Sequence, residues 1–393
     1  MLSVSRWVTF RPPRFHRTSV THHVSPGPER QERALEESMK AARFHGDRPE
    51  LRLEDVPDPV LQPGCAIVDV DAAFITRSLA HTLADPSRLM LPPRPFVPGM
   101  DTIGRVVAVA EDVGGLRVGE PVYCDHWYAS HNVSAIPDHC FLGYFGMGPG
   151  AIRHLQRWRD GGYAERMVLP AECLTPLGAA ADRASPAMLC RLGWFGTAYG
   201  AFVKAGLKPG DTVIVNGATG MVGSSGVLVA LAMGAARIVA LGRDRAMLDR
   251  VAVLAPSRIV PVALGGPGDA EAIAAAGRGA HVLLDAVGTG ADPAATHAAI
   301  AALGQGGRAV LVGARLSSPI QLDYTAIMYR EIAVLGSLWF PRRAAGELIA
   351  MIGAGTLDLA AIAAETVTLD RLNDGIRAAS RDSLGLGHWA CCP

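Results

Sequence analysis

The sequence has neither an excess of charge nor a long apolar run. Its 393 residues include 37 basic and 37 acidic side chains, so no net charge attracts nucleic acid or an anionic membrane. The least polar stretch, residues 225–242, contains Arg237 and several small residues. It predicts a buried helix followed by a buried strand, not a membrane span. We therefore expect no nucleic acid and no membrane among the partners.

Cysteine is also scarce, and the N-terminal segment has little acid. The seven cysteines are odd in number and form no C-x-x-C pair, so they do not predict a disulfide framework, and a reducing, cytoplasmic location fits better. Four arginines precede the first acidic residue, Glu29, which is typical of a transit peptide. The alternative is an untrimmed extension upstream of Met39. Either way, residues 1–38 are predicted to be disordered and are left out of the fold.

Histidine and cysteine concentrate in one stretch, YCDHWYASHNVSAIPDHC at 123–140. These residue types suit zinc, and the possible ligands are Cys124, His126, His131, His139 and Cys140. Their spacing lacks the pairs of ligands that structural zinc sites use. Adjacent side chains on a strand also point to opposite faces, which separates His139 from Cys140. The stretch therefore predicts no metal site.

The chain changes its rhythm near residue 191. Between 39 and 190, short β-like runs are separated by Pro and Gly, which predicts an antiparallel, barrel-like β domain. Between 191 and 335, buried strands alternate with helical segments, which predicts a doubly wound parallel sheet. Residues 336–393 are expected to return to the first domain. The predicted fold class is α/β.

The sharpest motif is DTVIVNGATGMVGSSG at 211–226. A strand-like run leads into Gly217-x-x-Gly220-x-x-Gly223 and then into a helical segment. Such a turn presents backbone N–H groups and a helix N-terminus to a pyrophosphate. The residues predicted to bind a dinucleotide here are Gly217, Ala218, Thr219, Gly220, Met221, Val222 and Gly223.

The end of the next strand indicates which nucleotide is bound. NAD sites place an acidic residue there for the ribose 2′-hydroxyl, whereas this chain has Gly242-Arg243-Asp244. Glycine beside a guanidinium suits a 2′-phosphate, so we predict NADP(H) as the cofactor, with Gly242 and Arg243 as contacts. The alternative is a solvated Arg243, with Asp244 turned inward as the ribose acceptor.

The order of segments resembles the medium-chain dehydrogenase/reductase superfamily. The matching segments are MKAARF at 39–44, PGMDTIGRVVAVAEDVGGLRVGEPV at 98–122, GGYAERMVLPAE at 161–172, GTAYGAFVKAGLKPGDTVIVNGATGMVG at 196–223, LLDAVG at 283–288 and GGRAVLVGA at 306–314. The resemblance implies a GroES-like, partly open β-barrel catalytic domain from 39–190 and 336–393. It also implies a Rossmann domain at 191–335, with cofactor contacts at Thr197, Val287 and Gly313.

Zinc-dependent members hold their catalytic metal with a Cys, the His of a PGHE motif, and a later Cys or Asp. The resemblance places Thr76, Met100 and Gly193 at those positions, and none is a usual zinc ligand. A shifted alignment that recruits Cys190 or His81 remains an alternative. The four cysteines of the structural-zinc lobe are also missing from 123–140. We therefore predict no zinc.

Without zinc, hydrogen-bond donors must polarise the substrate. Thr76 and Ser78 are the predicted catalytic hydroxyls, and Met100 and Asp101 are expected to border the same cleft. The alternative for both hydroxyls is a turn-capping role, and for Thr197 it is a hydroxyl bonded to its own helix. The predicted function is zinc-independent, NADP(H)-dependent hydride transfer to a quinone, enone or related carbonyl. The alternatives are an alcohol dehydrogenase with atypical metal ligation and a weakly catalytic NADPH-binding redox sensor.

Aromatic residues crowd one insertion between 124 and 160. They include Trp127 and Tyr128, which are predicted to line the substrate pocket, and the whole insertion reads as a long loop. So much aromatic surface has to be buried. The insertion is therefore expected to cover the substrate or to form a contact between copies of a homodimer or homotetramer.

Overall fold

The structure is a computed structural model that describes residues 38–129, 138–313, 316–382 and 385–393. Thus the predicted extension, except Ser38, lies outside the described residues, as does His131. The first strand of the described residues begins at Ser38, one residue before the predicted start, and pairs antiparallel with the next strand. These two strands are β1 (Ser38–Arg43) and β2 (Arg52–Pro57).

A seven-stranded sheet forms the barrel-like part of the molecule. Its strands in chain order are β3 (Cys65–Ile75), β4 (Met100–Val109), β5 (Pro121–Cys124), β9 (Arg166–Pro170), β10 (Leu174–Pro176), β17 (Ala363–Val367) and β18 (Gly387–Cys391). The order in the sheet is β10-β5-β4-β3-β18-β17, with β9 also paired to β3. Most pairs are antiparallel, while β17 and β18 run parallel. The C-terminal strand thus returns to the first part of the chain, as expected.

A six-stranded parallel sheet forms the second part. It contains β11 (Thr212–Asn216), β12 (Arg237–Gly242), β13 (Ile259–Ala263), β14 (Ala280–Asp285), β15 (Leu303–Leu311) and β16 (Ala333–Gly336). The strand order is β13-β12-β11-β14-β15-β16, and every neighbouring pair is parallel. This order reverses direction between β11 and β14, which is where doubly wound sheets bind their ligands.

Helices cover both sheets. They are α1 (Leu79–Ala84), α2 (Ala151–Arg157), α3 (Pro186–Leu189), α4 (Leu192–Ala205), α5 (Met221–Ala232), α6 (Arg245–Ala252), α7 (Asp269–Gly277), α8 (Ala294–Ala302), α9 (Tyr324–Arg330), α10 (Arg343–Gly353) and α11 (Leu372–Arg381). Local signals set several ends: Asp244 caps α6, and left-handed Gly206 ends α4. Within the described part of the chain, none of these helices has the length and apolar character of a membrane span.

The helix α10 packs against α4 beside the parallel sheet and against residues 178–182, which follow β10. One difference from the sequence prediction stands out: the aromatic insertion is not a plain loop. It contains a three-stranded antiparallel sheet, β6 (Trp127–Ala129), β7 (His139–Phe141) and β8 (Phe145–Met147), followed by α2. Strands of three residues are too short to show a periodic pattern.

Candidate functional site

The glycine-rich turn has the geometry that a phosphate site needs. Gly217 follows β11 with φ of 85°, a conformation that favours glycine. A Cβ on Gly223 would lie 2.0 Å from the Gly217 carbonyl oxygen, so only glycine allows this close packing. Gly220 precedes α5 and makes no side-chain cap. The first N–H groups of α5 have no partner inside the helix and are available to an anion.

A cavity of about 390 Å³ opens at this turn. The predicted cofactor residues that line it are Gly217, Thr219, Gly220, Gly242, Arg243 and Val287. Ala218 lies buried beneath the turn, and Met221 and Val222 form the first turn of α5. Arg77 lines the same cavity from the barrel side and was not predicted. The Arg77 guanidinium would pair with a phosphate of the cofactor. The signal in the sequence that could have identified this residue is a cationic side chain next to Thr76.

The two residues after β12, Arg243 and Asp244, are used differently in the described structure. Arg243 is exposed on the cavity wall. The Asp244 side chain accepts a hydrogen bond of 3.0 Å from the Met247 backbone N–H and caps α6. Asp269 also lines the cavity, but its carboxylate accepts hydrogen bonds from the Gly265 and Gly266 N–H groups. The alternative in which Asp244 turns inward is not what the structure shows.

The remaining predicted cofactor residues fall in two places. Gly313 approaches Val287 so closely that a Cβ on it would lie 2.6 Å from the Val287 oxygen. Both residues line a neighbouring cavity of about 530 Å³ at the ends of β14 and β15. Thr197 is buried in α4, where its hydroxyl donates a hydrogen bond of 2.9 Å to the Gly193 carbonyl oxygen. This hydrogen bond within the helix is the one described by the alternative interpretation of Thr197.

Thr76 and Ser78 belong to a chain of hydroxyl groups. Their oxygens lie 3.1 Å apart, and the Ser78 hydroxyl lies 3.2 Å from that of Tyr144, which is also 3.1 Å from the Thr82 hydroxyl. Ser78 precedes α1 but makes no side-chain cap, so the turn-capping alternative does not describe its hydroxyl. Tyr144 lies in the turn between β7 and β8 and was missed, because nothing local links it to residues in α1.

The positions of the family's catalytic zinc ligands do not form a zinc site. Thr76 offers a hydroxyl, Met100 a buried thioether, and Gly193 no side chain. A Cβ on Gly193 would lie 2.2 Å from an Asp101 carboxylate oxygen, so Asp101 already fills the space of the third ligand. Across the described residues, no group of three or more His, Cys, Asp or Glu side chains could hold a metal ion. The residues present do not fit zinc.

The shifted alignment does not provide ligands either. Cys190 is buried, and its sulfur donates to the Ala187 carbonyl oxygen at 3.1 Å and lies 3.7 Å from His388 Nε2. His81 is exposed on α1. The two side chains have different surroundings and do not form a ligand group among the described residues.

Two buried carboxyl groups lie beneath this region. Asp101 is fully buried and accepts a 2.7 Å hydrogen bond from the Tyr123 hydroxyl, and burial raises the pKa of Asp101 well above its usual value. Asp125 accepts from the Trp127 N–H and from Trp339 Nε1. Burial raises the pKa of Asp125 to about 7. Burial therefore favours the neutral form of Asp101, whereas Asp125 changes its charge near neutral pH.

Trp127 and Tyr128 point to different places because adjacent strand residues face opposite sides. The Trp127 ring lies 4.8 Å from the rings of His139 and Phe141. Phe141 in turn contacts Trp339, which follows β16 of the parallel sheet. Tyr128 packs instead on His154 and Trp158 within the insertion. Trp127 therefore belongs to the aromatic cluster that joins the two sheets.

The described cysteines and histidines of 123–140 have structural partners. Cys124 and Cys140 are buried free thiols. The buried His126 ring contacts the Leu142 oxygen at 2.9 Å and the Thr102 hydroxyl at 3.1 Å, and His139 stacks on Trp127. Burial lowers the pKa of His126 to about 4, so the ring is neutral at pH 7.

Comparison with known proteins agrees with this architecture. A family model described as an alcohol dehydrogenase GroES-like domain matches residues 62–179. A second, described as a zinc-binding dehydrogenase, matches residues 222–354. Together they cover β3 to β10 of the barrel-like sheet and β12 to β16 of the parallel sheet.

Curated relatives span nearly the whole fold at low identity. The chain is 27% identical to a probable zinc-binding alcohol dehydrogenase of Mycobacterium tuberculosis, over 84% of this chain and 82% of that protein. It is 23% identical to an (R,R)-butanediol dehydrogenase of Neisseria gonorrhoeae, over 85% and 93%. It is 27% identical to an acryloyl-coenzyme A reductase of Metallosphaera sedula, over 86% and 95%.

Solved structures share the fold. An alcohol dehydrogenase of Escherichia coli, complexed with NADH, superposes with a TM-score of 0.75 at 19% identity, covering 91% of this chain and 99% of that one. An alcohol dehydrogenase of a Thermus species gives 0.74 at 24%, covering 90% and 99%. The sheet order, the glycine-rich turn and both family matches lead to one conclusion. The chain belongs to the medium-chain dehydrogenase/reductase superfamily of oxidoreductases.

Proposed function

We propose that this protein is a zinc-independent, NADP(H)-dependent oxidoreductase that transfers hydride to a quinone, an enone or a related carbonyl. The observation that carries the proposal is the replacement of the metal site. Thr76 and Met100 stand at two ligand positions, and the Asp101 carboxyl fills the space beside Gly193 at the third. A hydroxyl chain lies where relatives place a Lewis acid, so hydrogen bonding replaces metal polarisation.

The choice of NADP(H) is supported by the charges around the cavity at the glycine-rich turn. Arg243 is exposed on its wall, while Asp244 is held as a helix cap and Asp269 by two backbone N–H groups. A 2′-phosphate would meet the guanidinium, and the carboxylate of Asp292, which also lines the cavity, already accepts a hydrogen bond from the Ala294 backbone N–H. Bound NADPH supplies the hydride.

The residues of the barrel would orient the acceptor and move its proton. The Thr76 hydroxyl is buried, and Ser78 connects it to the Tyr144 phenol. A hydroxyl of this chain of hydroxyl groups can donate a hydrogen bond to the substrate oxygen. The same groups can pass a proton to the substrate after negative charge develops on it. Conjugated acceptors need less polarisation than isolated ketones, because charge spreads over the conjugated system. The reductase of acryloyl-coenzyme A among the relatives supports this acceptor class.

A second candidate is an alcohol dehydrogenase with atypical metal ligation. It is favoured by relatives named as zinc-binding alcohol dehydrogenase and butanediol dehydrogenase. Against it stands the ligand set, in which a threonine, a methionine and a glycine occupy the metal positions.

Steady-state oxidation of NADPH across a panel of quinones, enones and simple ketones tests the proposal. We expect turnover with conjugated acceptors and little with isolated ketones. Oxidation of secondary alcohols by NADP⁺ at a higher rate would favour the second candidate. Tight NADPH binding without turnover on any acceptor would contradict the enzyme and support a redox sensor.

A further inference from the structure

Arg191, which immediately precedes α4, has no exposed surface. Its guanidinium donates to five acceptors on two segments of the chain. The bonds are Nε to Ser225 Oγ at 3.1 Å, Nη1 to the Gly387 oxygen at 3.3 Å, and Nη2 to the Met221 oxygen at 2.9 Å, Ser224 Oγ at 2.8 Å and the Gly385 oxygen at 2.7 Å. Every acceptor is a hydroxyl or a carbonyl. The bonds engage all three nitrogens of the guanidinium, but they do not neutralise its charge.

A buried cation without a counter-ion is unusual, because transferring a charge out of water is expensive. In the part of the chain that the structure describes, no carboxylate forms an ion pair with Arg191. Burial lowers the pKa of Arg191 to about 9, so the guanidinium stays charged at neutral pH. Its charge therefore acts on whatever anion approaches this part of the molecule.

The location of Arg191 suggests which anion that is. Three of the five acceptors belong to the first turns of α5, whose N-terminus is the glycine-rich turn. The other two belong to the segment before and at the start of β18. A Cβ on Gly385 would lie 2.4 Å from the Thr219 oxygen, so this segment presses on the glycine-rich turn.

A small cavity of about 100 Å³ lies at this junction. Gly220, Met221, Gly385 and Arg77 are among the residues that line it. Arg191 thus lies beneath residues that line this cavity. The cavity surface already includes the N-terminus of α5 and the guanidinium of Arg77. All of these features favour an anion with more than one negative charge.

We propose that Arg191 is a positioning residue for the cofactor. Its guanidinium fixes the first turn of α5 to the segment 385–387, and its unpaired charge is balanced by the pyrophosphate that binds at the glycine-rich turn. The inference rests on the proposed function, because it needs a dinucleotide at this turn. The inference goes beyond the proposed function because it assigns part of the attraction for the pyrophosphate to Arg191, which does not contact it.

Because solvent is excluded around Arg191, the influence of its charge on pyrophosphate binding should be measurable. Solvent screens a charge poorly when protein surrounds it, so a buried cation acts over a longer distance than an exposed one. Lysine at position 191 would keep the charge, but its ammonium group could not make the five hydrogen bonds that the planar guanidinium makes. Methionine would keep much of the volume and remove the charge. The two variants therefore separate electrostatic attraction from anchoring.

Calorimetric titration with two fragments tests the proposal. ADP carries the pyrophosphate, whereas adenosine 2′-monophosphate carries only the 2′-phosphate. We expect Arg191→Met to weaken ADP binding about tenfold and to change binding of the 2′-monophosphate by less than about twofold. Arg191→Lys should keep ADP affinity within about threefold of wild type, even where its melting temperature falls. KM for NADPH should rise in Arg191→Met and stay near the wild-type value in Arg191→Lys.

Arg258→Met is the matched control, since Arg258 also donates to a backbone carbonyl, that of Ala235, but lies away from the turn. It should leave both fragments unaffected. Equal ADP affinity for wild type and Arg191→Met would overturn the inference and leave the proposed function intact. An equal loss of ADP affinity in Arg191→Lys and Arg191→Met would also overturn the inference. If Arg191→Met does not fold, a tenfold loss of ADP affinity in Arg191→Lys would overturn it. Failure of the wild type to bind ADP or NADPH would overturn both.

Discussion

Selectivity between NADPH and NADH depends, in this account, on one exposed guanidinium. Arg243 follows β12 on the wall of the 390 Å³ cavity, next to Gly242, whose lack of a side chain leaves room for the Thr219 side chain. The perturbation is Arg243→Gln, which keeps a polar side chain of similar length and removes the charge. The neighbouring Asp244 continues to cap α6, so the helix start should not change.

The size of the effect follows from the type of bond that is lost. A hydrogen bond to a charged group contributes about 1.5–3 kcal/mol. Arg243 is exposed, so solvent screening places it at the lower end, about 1.5 kcal/mol. At about 1.4 kcal/mol per factor of ten, Kd for NADPH should rise about tenfold. Kd for NADH should change by less than about twofold, because NADH has no 2′-phosphate.

Fluorescence titration of both reduced cofactors into both proteins measures these constants. Arg250→Gln is the control, since Arg250 is an exposed residue of the last turn of α6. A parallel loss of NADPH and NADH affinity in Arg243→Gln would refute the reasoning. Tighter binding of NADH than NADPH by the wild type would do so more directly. Asp244→Ala should cost about 1 kcal/mol of stability through the lost cap without shifting the selectivity.

Four further predictions concern other parts of the molecule. Tyr144→Phe breaks the hydroxyl chain and should lower kcat about tenfold with unchanged KM for NADPH; an unchanged kcat would remove Tyr144 from proton transfer. Gly223→Ala puts a Cβ 2.0 Å from a backbone oxygen and should abolish NADPH binding in titrations, whereas Gly346→Ala, in open space on α10, should raise stability by about 0.5–1 kcal/mol in urea unfolding. The pKa of Asp125 is raised from 3.8 to about 7, so its neutral form stabilises the fold below pH 4 and this contribution is lost as pH rises to 7; unfolding free energies should fall across that window by up to about 1.4 kcal/mol per pH unit relative to Asp125→Asn, and parallel profiles would contradict the shift. Tyr329 is 73% exposed on α9, beside the unpaired edge of β16, so light scattering should detect a homodimer or homotetramer that Tyr329→Asp weakens; a monomeric wild type would refute this.

The sequence was sufficient where local patterns repeat. Buried apolar runs alternating with helical segments predicted the parallel sheet, and the glycines predicted the turn before α5, because both features depend on neighbours in the chain. The barrel sheet was predictable for the same reason: Pro and Gly punctuate its strands. The return of the C-terminal residues to the first domain was expected, but the pairing of β18 with β3 was not, since the two strands are about 300 residues apart.

Contacts between distant segments could not be predicted in this way. Tyr144 meets Ser78 across 66 positions, and Arg191 meets Gly385 across 194. Neither residue has a distinctive neighbourhood in the sequence. Trp127 and Tyr128 were predicted together, yet strand alternation separates them once β6 forms. The resemblance places Thr197 beside the cofactor, and the structure adds that its hydroxyl bonds to the Gly193 carbonyl oxygen of its own helix.

The zinc content of an active preparation tests the central claim most directly. Elemental analysis and NADPH oxidation with the best conjugated acceptor should be measured on one sample, before and after dialysis against a chelator. The account predicts far less than one zinc per chain and the same rate after dialysis. One zinc per chain, with activity lost on chelation and restored by added zinc, would contradict it.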